Sequence, residues 1–239
     1  MAALVNSSLG ADAKEGRKDW RLGLPELSDG TVLLRELRLS DARSLLQHVN
    51  AAPVLKFIAA CPTTVAGFER FIRWTRAERR RGRHACYGIV PRGAKSAVGV
   101  IQIWSVEREF STAEWGFAIG DSFWGTGLFM NSARLFLDAV FVDQIFGAPG
   151  IHRVEARAAT RNIRGNAILR KLGATPEGTL RGGFRLGDDI LDQMMWSILA
   201  PEWRRQRIQA SERSCPTSRS RRGDWSLFAG CRTCSRPST

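Results

Sequence analysis

The 239-residue chain carries 36 Lys and Arg against 23 Asp and Glu, a formal net charge of +13, and 44% of its residues are hydrophobic. This balance is typical of a soluble globular protein with one sizeable core. The sequence has no run of about 18 apolar residues, the length that a membrane span needs. Charged residues near the amino terminus, where a signal peptide would need an apolar centre, predict a cytoplasmic protein.

Positive charge is concentrated at the carboxyl-terminal end of the chain. Residues 204–239 hold nine Arg against only Glu212 and Asp224, so more than half of the net charge lies there. Single-stranded nucleic acid is bound by basic surfaces with interleaved aromatic side chains, and this segment has only Trp225 and Phe228. We therefore do not expect nucleic acid as a partner, and the smaller positive excess over 1–203 also suits a phosphate-rich small ligand.

The cysteines and histidines do not form a metal-binding pattern. The five cysteines are odd in number and irregularly spaced: Cys61, Cys86, Cys215, Cys231 and Cys234. The last two form one C-x-x-C, but a zinc site would need two further ligands at matching spacing. We predict free thiols and no metal site, since ligand-like spacing is also lacking among His48, His84 and His152.

The amino-terminal part of the chain predicts a strand followed by two helices. After a loose leader over 1–24, the run TVLLRELR predicts a strand over 31–38. A short helix follows over 41–50, with Ser40 or Asp41 as its cap. The segment from about 64 to 81 places its apolar residues on one helical face and predicts an amphipathic helix.

Strand-like runs dominate the middle of the chain. Turn signals separate three of them, at 85–90, 97–106 and 113–119. A loop and a helix that runs to about Phe146 come next. A half-buried strand over 152–158 then alternates apolar and charged residues.

The last elements predict how the domain ends. A helix over 163–172 stops at Gly173, a typical helix-ending residue. Two strands flank a turn at Gly187–Asp188 and end near Leu199. After Trp203 no sustained period remains, and the Ser-, Arg- and Pro-rich composition predicts a disordered basic tail over 204–239.

This element order predicts one α/β (α+β) domain over 25–203. Its sheet is mixed and mostly antiparallel, with helices covering its faces.

The loop WGTGLF, just before a predicted helix, is a candidate site for a pyrophosphate. Unpaired N–H groups at a helix amino terminus attract anions. Glycines such as Gly125 and Gly127 let the backbone close around the anion. The loop is not a Walker loop, because no Gly-Lys-Ser/Thr follows, and it lacks the third glycine of the dinucleotide fingerprint. A plain tight turn is the competing interpretation.

A second strand-to-helix corner lies about 35 residues downstream, in TRNIRGNAILRKLGA, with Asn162 at the corner. If the two corners lie side by side, they form a site for a long ligand that ends in phosphates. The competing interpretation of Asn162 is an ordinary helix N-cap.

Three runs together resemble one known family. They are AEWGFAIGDSFWGTGLFMNSARLFL, then HRVEARAATRNIRGNAILRKLGATPEGTLR, then DQMMWSIL. In this order they resemble the GNAT acetyltransferase superfamily, and within it the RimJ/RimL branch of ribosomal-protein N-terminal acetyltransferases. The resemblance covers roughly Leu24 to Trp203 and implies a single GNAT-like domain.

The resemblance implies acetyl-CoA as the co-substrate and a set of backbone contacts to it. The pantetheine arm would run along the strand that carries Phe117, Ala118 and Ile119, and Asn162 would contact the same arm. The family pattern often ends the glycine loop in a small residue, where this chain has Phe129. The loop that would bind the pyrophosphate comprises Trp124, Gly125, Thr126, Gly127, Leu128 and Phe129.

The resemblance leaves the catalytic residues less well defined. Glu177 matches a glutamate that some ribosomal-protein acetyltransferases use as base, and Glu114 lies on the strand that would face the acceptor. A solvated or ion-paired glutamate is the competing interpretation of each. Relatives often carry a serine or a tyrosine as acid where this chain has Gly165 and Leu169, and its only tyrosine is Tyr87 on an early strand. Water is therefore the expected proton donor to the leaving thiolate.

The resemblance implies direct transfer of acetyl from acetyl-CoA to a primary amine, with a protein N-terminus as the first candidate acceptor. A small-molecule amine of the aminoglycoside or polyamine type is the alternative within the same class. A non-catalytic acyl-CoA-binding module is the alternative from another class, because the acid residues are missing. We expect a monomer or a homodimer without membrane association.

Overall fold

The computed structural model describes residues 19–58, 60–107, 110–147 and 150–214. Most of the predicted leader lies outside these ranges, as do residues 215–239 with Cys215, Cys231 and Cys234. The chain divides into two compact units after Arg205. The first unit contains the sheet, and the described residues 206–214 of the second are helical.

Eight strands are found in the described residues. They are β1 (Leu27–Ser28), β2 (Val32–Glu36), β3 (His84–Pro91), β4 (Gly99–Ser105), β5 (Thr112–Ile119), β6 (Arg153–Ala159), β7 (Thr175–Leu186) and β8 (Asp189–Leu199). The α-helices are α1 (Ala42–Val49), α2 (Ala52–Leu55), α3 (Val65–Arg80), α4 (Leu128–Phe141), α5 (Ile163–Lys171) and α6 (Ala200–Ser214). Single 3₁₀ turns precede α1 and α4, at Leu39–Asp41 and Asp121–Phe123.

The strands form one sheet in the order β1-β2-β3-β4-β5-β6-β8-β7. Strands β5 and β6 are parallel neighbours, and the other adjacent pairs are antiparallel. The prediction of a mixed, mostly antiparallel sheet in a single domain is confirmed.

Strands β5 and β6 are paired along only part of their length. The ladder joins Thr112 to Arg153, Ala113 to Val154 and Glu114 to Glu155, and it goes no further. Both strands continue beyond it, β5 to Ile119 and β6 to Ala159, so they separate after Glu114. Backbone groups of β5 that point toward β6 beyond this position are therefore available to another partner.

Apolar side chains from the two faces of the sheet enter two separate clusters. One cluster joins α4 and α5 to the sheet and contains Trp115, Phe136 and Trp196. The other joins α1 and α3 to the opposite face, around Leu45 and Ile72. Successive residues of a strand point to opposite faces, so β2, β3, β4 and β5 contribute to both clusters.

The end of α5 follows the sequence prediction at Gly173. This glycine has φ +83 and donates its N–H to the Arg170 carbonyl at 3.0 Å, while Ala174 donates to the Leu169 carbonyl at 3.0 Å. The two bonds form a Schellman motif, which needs a left-handed residue at this position. The predicted helix end is confirmed.

The structure differs from the prediction at the end of α4, which stops at Phe141 and not near Phe146. Beyond it the N–H of Asp143 bonds to the Asp138 carbonyl and that of Ile145 to the Ala139 carbonyl, so the regular i to i−4 spacing is lost. Gln144 adopts φ +51, which ends the helical path. The apolar residues that continue the pattern belong to a packed turn.

The predicted ends of the domain need correction on both sides. Trp20, in the segment predicted as a loose leader, is buried, and its ring packs edge-on against Phe146 with centroids 5.0 Å apart. The prediction of disorder from Arg204 is wrong for 204–214, which belong to α6. Arg204 donates to the Phe141 carbonyl at 2.8 Å and Trp203 to Asp138 at 2.8 Å, so the first turn is fixed. Residues of good helix propensity then continue the helix without an apolar period.

None of the helices in the described ranges is both long enough and apolar enough to span a membrane.

Candidate active site

The glycine loop forms a turn that requires left-handed backbone at two positions. Gly125 has φ +78 and Gly127, the N-cap of α4, has φ +84. A Cβ atom at either glycine would meet no atom within 4 Å, so conformation and not crowding favours glycine here. Thr126 closes the turn by donating its hydroxyl to the Phe123 carbonyl at 2.8 Å. The first N–H groups of α4 follow, and they have no acceptors within the helix.

Phe129 does not crowd this helix terminus. Its side chain is 6% exposed, and its ring lies 4.4 Å from that of Phe117, measured between centroids. The bulky residue therefore packs into the core between α4 and β5, and the backbone of the loop stays accessible.

Asn162 is the N-cap of α5, as the competing interpretation has it. Its Oδ1 accepts the N–H of Gly165 at 2.9 Å. A Cβ at Gly165 would lie 2.6 Å from the Asn162 Nδ2, so a side chain at this position would displace the folded-back amide. The serine that relatives often carry there does not fit beside the amide in this conformation.

A cation–π contact connects the two corners. The guanidinium carbon of Arg164, in the first turn of α5, lies 4.1 Å from the centre of the Trp124 ring. The Trp124 indole donates to the Ile119 carbonyl at 3.2 Å, which fixes the ring at the end of β5. The contact confirms that the corners are neighbours. Arg164 was not identified from the sequence, since no local spacing relates it to a tryptophan 40 positions earlier.

A cavity of about 300 Å³ occupies the gap between β5 and β6. Of the predicted cofactor residues, Phe117, Ala118 and Asn162 line it, whereas Ile119 and the glycine-loop residues do not. Helices and the following loop contribute apolar side chains, namely Val49, Phe57, Ile58, Phe68 and Phe71. Polar side chains come from Gln102, Arg157, Asn162 and Gln193.

Glu114 lies at the point where the two strands separate. It is the last residue of β5 paired with β6, and alternation places it on the same face as Gly116, which lines the cavity, while Glu114 itself is not a lining residue. Its side chain is 16% exposed, and its Oε1 is 3.7 Å from the Arg157 Nε. Burial raises the pKa of Glu114 above its usual value, although the positive charge of Arg157 opposes this shift.

Glu177 is held in an ion pair and does not line the cavity. Arg153 Nη1 donates to its Oε1 at 2.7 Å, a second Arg153 nitrogen contacts Oε2, and the Ser197 hydroxyl donates to Oε1 at 2.7 Å. The hydrogen bonds from Arg153 and Ser197 lower the pKa of Glu177 to about 2. A carboxylate with this pKa is a weak base at neutral pH, which corresponds to the ion-paired alternative.

The two positions at which relatives often carry an acid residue, 165 and 169, are occupied by glycine and leucine. Gly165 and Leu169 both line the cavity, and Leu169 is buried. The Tyr87 hydroxyl is buried in the core without a hydrogen-bond partner among the described residues, and burial raises the pKa of Tyr87 far above its usual value. It is therefore no proton donor to a group in the cavity.

His84 is linked to the cavity through Gln102, 3.2 Å from its Nε2. Burial lowers the pKa of His84 to about 4, so its ring is neutral at neutral pH. Within the described ranges, no group of three or more His, Cys, Asp or Glu side chains is arranged to bind a metal. Cys61 and Cys86, the described cysteines, are free thiols, and the predicted C-x-x-C lies outside the described residues.

Comparison with known proteins identifies one matching family. Residues 31–175, more than half of the chain, match the model of the acetyltransferase (GNAT) domain. An uncharacterised N-acetyltransferase, p20 of Bacillus licheniformis, is 24% identical over 173 residues, which cover 72% of this chain and 94% of p20. YnaD of Bacillus subtilis, also named as an uncharacterised N-acetyltransferase, is 20% identical, with coverages of 72% and 95%.

Solved structures share the fold at low identity. RimL, a ribosomal L7/L12 α-N-protein acetyltransferase in complex with coenzyme A, superposes with a TM-score of 0.66 at 20% identity, over 74% of this chain and 99% of RimL. MccE, a microcin C7 self-immunity acetyltransferase in complex with acetyl-CoA and AMP, has a TM-score of 0.64 at 20% identity, over 72% and 93% of the two chains.

Proposed function

The chain belongs to the GNAT acetyltransferase family, and we propose that this acetyl-CoA-dependent N-acetyltransferase acts on the α-amine of a peptide or protein N-terminus. The separation of β5 and β6 beyond Glu114, which opens into the cavity, is the observation that carries the proposal. It offers unpaired strand backbone beside a space that is lined by residues of both strands.

The proposed cofactor position follows from where backbone groups are available. The pantetheine amides pair with β5 around Phe117, Ala118 and Ile119, as an added strand would. The pyrophosphate binds the N–H groups between Gly125 and Phe129, at the positive end of the α4 dipole. Asn162 presents its side-chain amide to the same arm while it caps α5. These contacts bring the thioester to the gap between the strands.

The proposed reaction is a direct transfer. The neutral amine attacks the thioester carbonyl carbon, a C–N bond forms, the C–S bond breaks, and CoA leaves as a thiolate. Backbone N–H groups of β5 stabilise the oxyanion of the tetrahedral intermediate. Glu114 accepts the amine proton, directly or through one water. Water protonates the thiolate, because the corresponding thiol has a pKa of about 8.5. Burial, which raises the pKa of Glu114, makes it a better base than an ordinary carboxylate.

Charge favours a peptide or neutral amine over a polycation as the acceptor. None of the described residues that line the cavity is an Asp or Glu, and Arg157 supplies a positive charge. Aminoglycosides and polyamines need complementary negative charge. The structural likeness to RimL, named as acting on a ribosomal protein N-terminus, agrees with this choice.

Incubation of the full chain with acetyl-CoA and peptides that differ at the first residue tests the proposal. Release of the CoA thiol gives the rate, and mass spectrometry locates the acetyl group. We expect acetylation of the α-amine, with no acetyl group left on the enzyme. Peptides with a blocked N-terminus and an internal lysine are the control and should stay unmodified.

The absence of an acid residue at positions 165 and 169 favours one other candidate, a module that binds acyl-CoA and transfers nothing. Calorimetric binding of acetyl-CoA without turnover of any amine would support this second candidate and contradict the first.

A further inference from the structure

The two ends of the cavity differ in chemistry, and the difference identifies the class of acceptor. One end meets the start of α5 at Asn162 and Gly165, where the proposed cofactor arm lies. The other end meets α1, α3 and the loop between them. If the proposed function is correct, the group attached to the acceptor amine lies at this second end.

The acceptor end is lined mainly by apolar side chains. Phe68 and Phe71 of α3 face it with their rings in edge contact, 6.5 Å between centroids. Further lining residues on this side are Val49, Phe57, Ile58, Ala60, Cys61 and Pro62, and alternation along β4 places the Gln102 amide here as well. The apolar side chains gain free energy by excluding water from an apolar group, and they offer no hydrogen bonds to a hydroxyl or ammonium group.

One positive charge borders the apolar surface. Arg157 lines the cavity, and its side chain is 40% exposed. Glu114, its acidic neighbour, is 3.7 Å from the Arg157 Nε, too far for a hydrogen bond, so guanidinium donors remain available. A carbonyl next to the acceptor amine fits these donors, whereas a second ammonium group is repelled.

The apolar surface continues beyond the cavity. The Trp74 ring stacks on Phe71 at 6.1 Å and 29°, and Trp74 is 50% exposed. Its other neighbour is the buried His84 ring, 4.9 Å away. An acceptor that extends past the cavity therefore meets an aromatic face next, which suits a further residue of a peptide.

We infer that the acceptor is an α-amine whose own carbon carries a large apolar side chain, such as a peptide that begins with Phe or Leu. Recognition is by the apolar surface at Phe68 and Phe71, and Arg157 binds the adjacent carbonyl. This inference rests on the proposed function and adds the class of substrate to it.

The experiment compares kcat/KM for short peptides that are identical except for a first residue of Phe, Leu, Ser or Asp. Free phenylalanine and phenethylamine separate a peptide from a small amine as the source of the group, and spermidine represents polycations. We expect Phe and Leu peptides to exceed the Ser and Asp peptides by about ten- to a hundredfold, the range of a well-filled apolar pocket. Spermidine should be a poor acceptor.

Variants connect the preference to the surface. Phe71→Ala should lower kcat/KM for the Phe peptide about tenfold or more and leave the KM for acetyl-CoA unchanged, and Phe71→Leu should restore much of the loss. Ile190→Ala is the matched control, because Ile190 is an apolar residue that is 68% exposed and does not line the cavity. Thermal unfolding of each variant reports whether it is folded.

The outcomes separate the two proposals. Faster turnover of Ser, Asp or spermidine acceptors would overturn the inference and leave N-acetyl transfer intact. An apolar preference that Phe71→Ala does not reduce, in a folded variant, would overturn the assigned surface. Bound acetyl-CoA without turnover of any acceptor would overturn the proposed function, and the inference with it.

Discussion

At the scale of single residues, the environments of the two candidate bases differ more than the sequence indicates. Both carboxylate oxygens of Glu177 accept hydrogen bonds, from Arg153 and Ser197, so its proton affinity is low. Glu114 has one distant positive neighbour and is mostly buried, so its proton affinity is raised. The sequence places one carboxylate in a strand and the other near a turn, but only the packing of β6 and β8 gives Glu177 its partners.

Replacement of Glu114 by Gln tests the proposed base. The isosteric amide cannot accept the amine proton, so we expect kcat at neutral pH to fall about a hundredfold, toward the low end for a general base. The KM for acetyl-CoA should stay the same. Glu177→Gln is the matched control and should change kcat by less than about threefold, since the charge of the Glu177 carboxylate is already paired with Arg153. Equal losses in both variants would contradict the assignment.

Arg157 sets the pH range in which Glu114 is ionised. Its positive charge stabilises the carboxylate, so its removal should raise the pKa of Glu114 further. The base works in its ionised form. The acidic limb of kcat/KM against pH should therefore move to higher pH in Arg157→Gln and stay nearly in place in Arg157→Lys, which keeps the charge. If the acidic limb of kcat/KM does not move in Arg157→Gln, this limb does not report the ionisation of Glu114.

At the scale of elements, the site depends on how helices begin. Both α4 and α5 start at the end of a strand, one from a left-handed glycine and the other from an asparagine cap. Gly127 and Asn162 were predictable, because turn and cap residues act locally. The contact between Trp124 and Arg164 was not, since it depends on the order of β5 and β6 in the sheet.

Gly127→Val tests whether the glycine loop binds the cofactor. Valine resists φ +84, which costs about 1–2 kcal/mol of stability and moves the N–H groups that follow. We expect the KM for acetyl-CoA to rise about tenfold or more.

Gly93→Val is a matched control for the loop substitution. Gly93 has φ +78 and equally open surroundings, but it lies in the turn between β3 and β4. Urea unfolding should show a similar loss of stability in the Gly93→Val variant, and its KM for acetyl-CoA should stay unchanged. A raised KM in both variants would attribute the effect to general destabilisation and remove the loop from the site.

At the scale of the whole molecule, the sequence indicates the order of strands and helices but not the opening between two of them. The run over 113–119 predicts a strand and the alternation over 152–158 a half-buried strand, and nothing in either run marks Glu114 as the last paired residue. At the opening β6 stays paired with β8 along its whole length, from Arg153 with Leu199 to Ala159 with Gln193, while its opposite edge is paired with β5 only as far as Glu155. Pairing of this kind is decided by long-range packing, as is the burial of Trp20.

A buried ion pair whose residues do not line the cavity joins three parts of the domain. Asp41, just before α1, receives two bonds from Arg35 of β2 at 2.8 and 2.9 Å. It also accepts the N–H of Arg38 at 2.7 Å and that of Ala97, before β4, at 3.0 Å. Burial alone would raise the pKa of Asp41, but these bonds lower it below its usual value. The pair therefore stabilises the fold above the unfolded-state pKa, and the contribution is lost as pH falls through the lower folded-state pKa.

Asp41→Ala should consequently lower the free energy of unfolding by about 3–5 kcal/mol at neutral pH, because it leaves the buried Arg35 charge without a partner. Urea unfolding at pH 7 measures the loss. The double variant Arg35→Met, Asp41→Leu removes the charge but still leaves the Arg38 and Ala97 N–H groups without an acceptor, so it should recover only part of the stability. Full recovery would mean that charge pairing alone matters, whereas no recovery would assign the loss to the two backbone bonds, the local one from Arg38 and the one from Ala97, which connects the segment before α1 to the segment before β4.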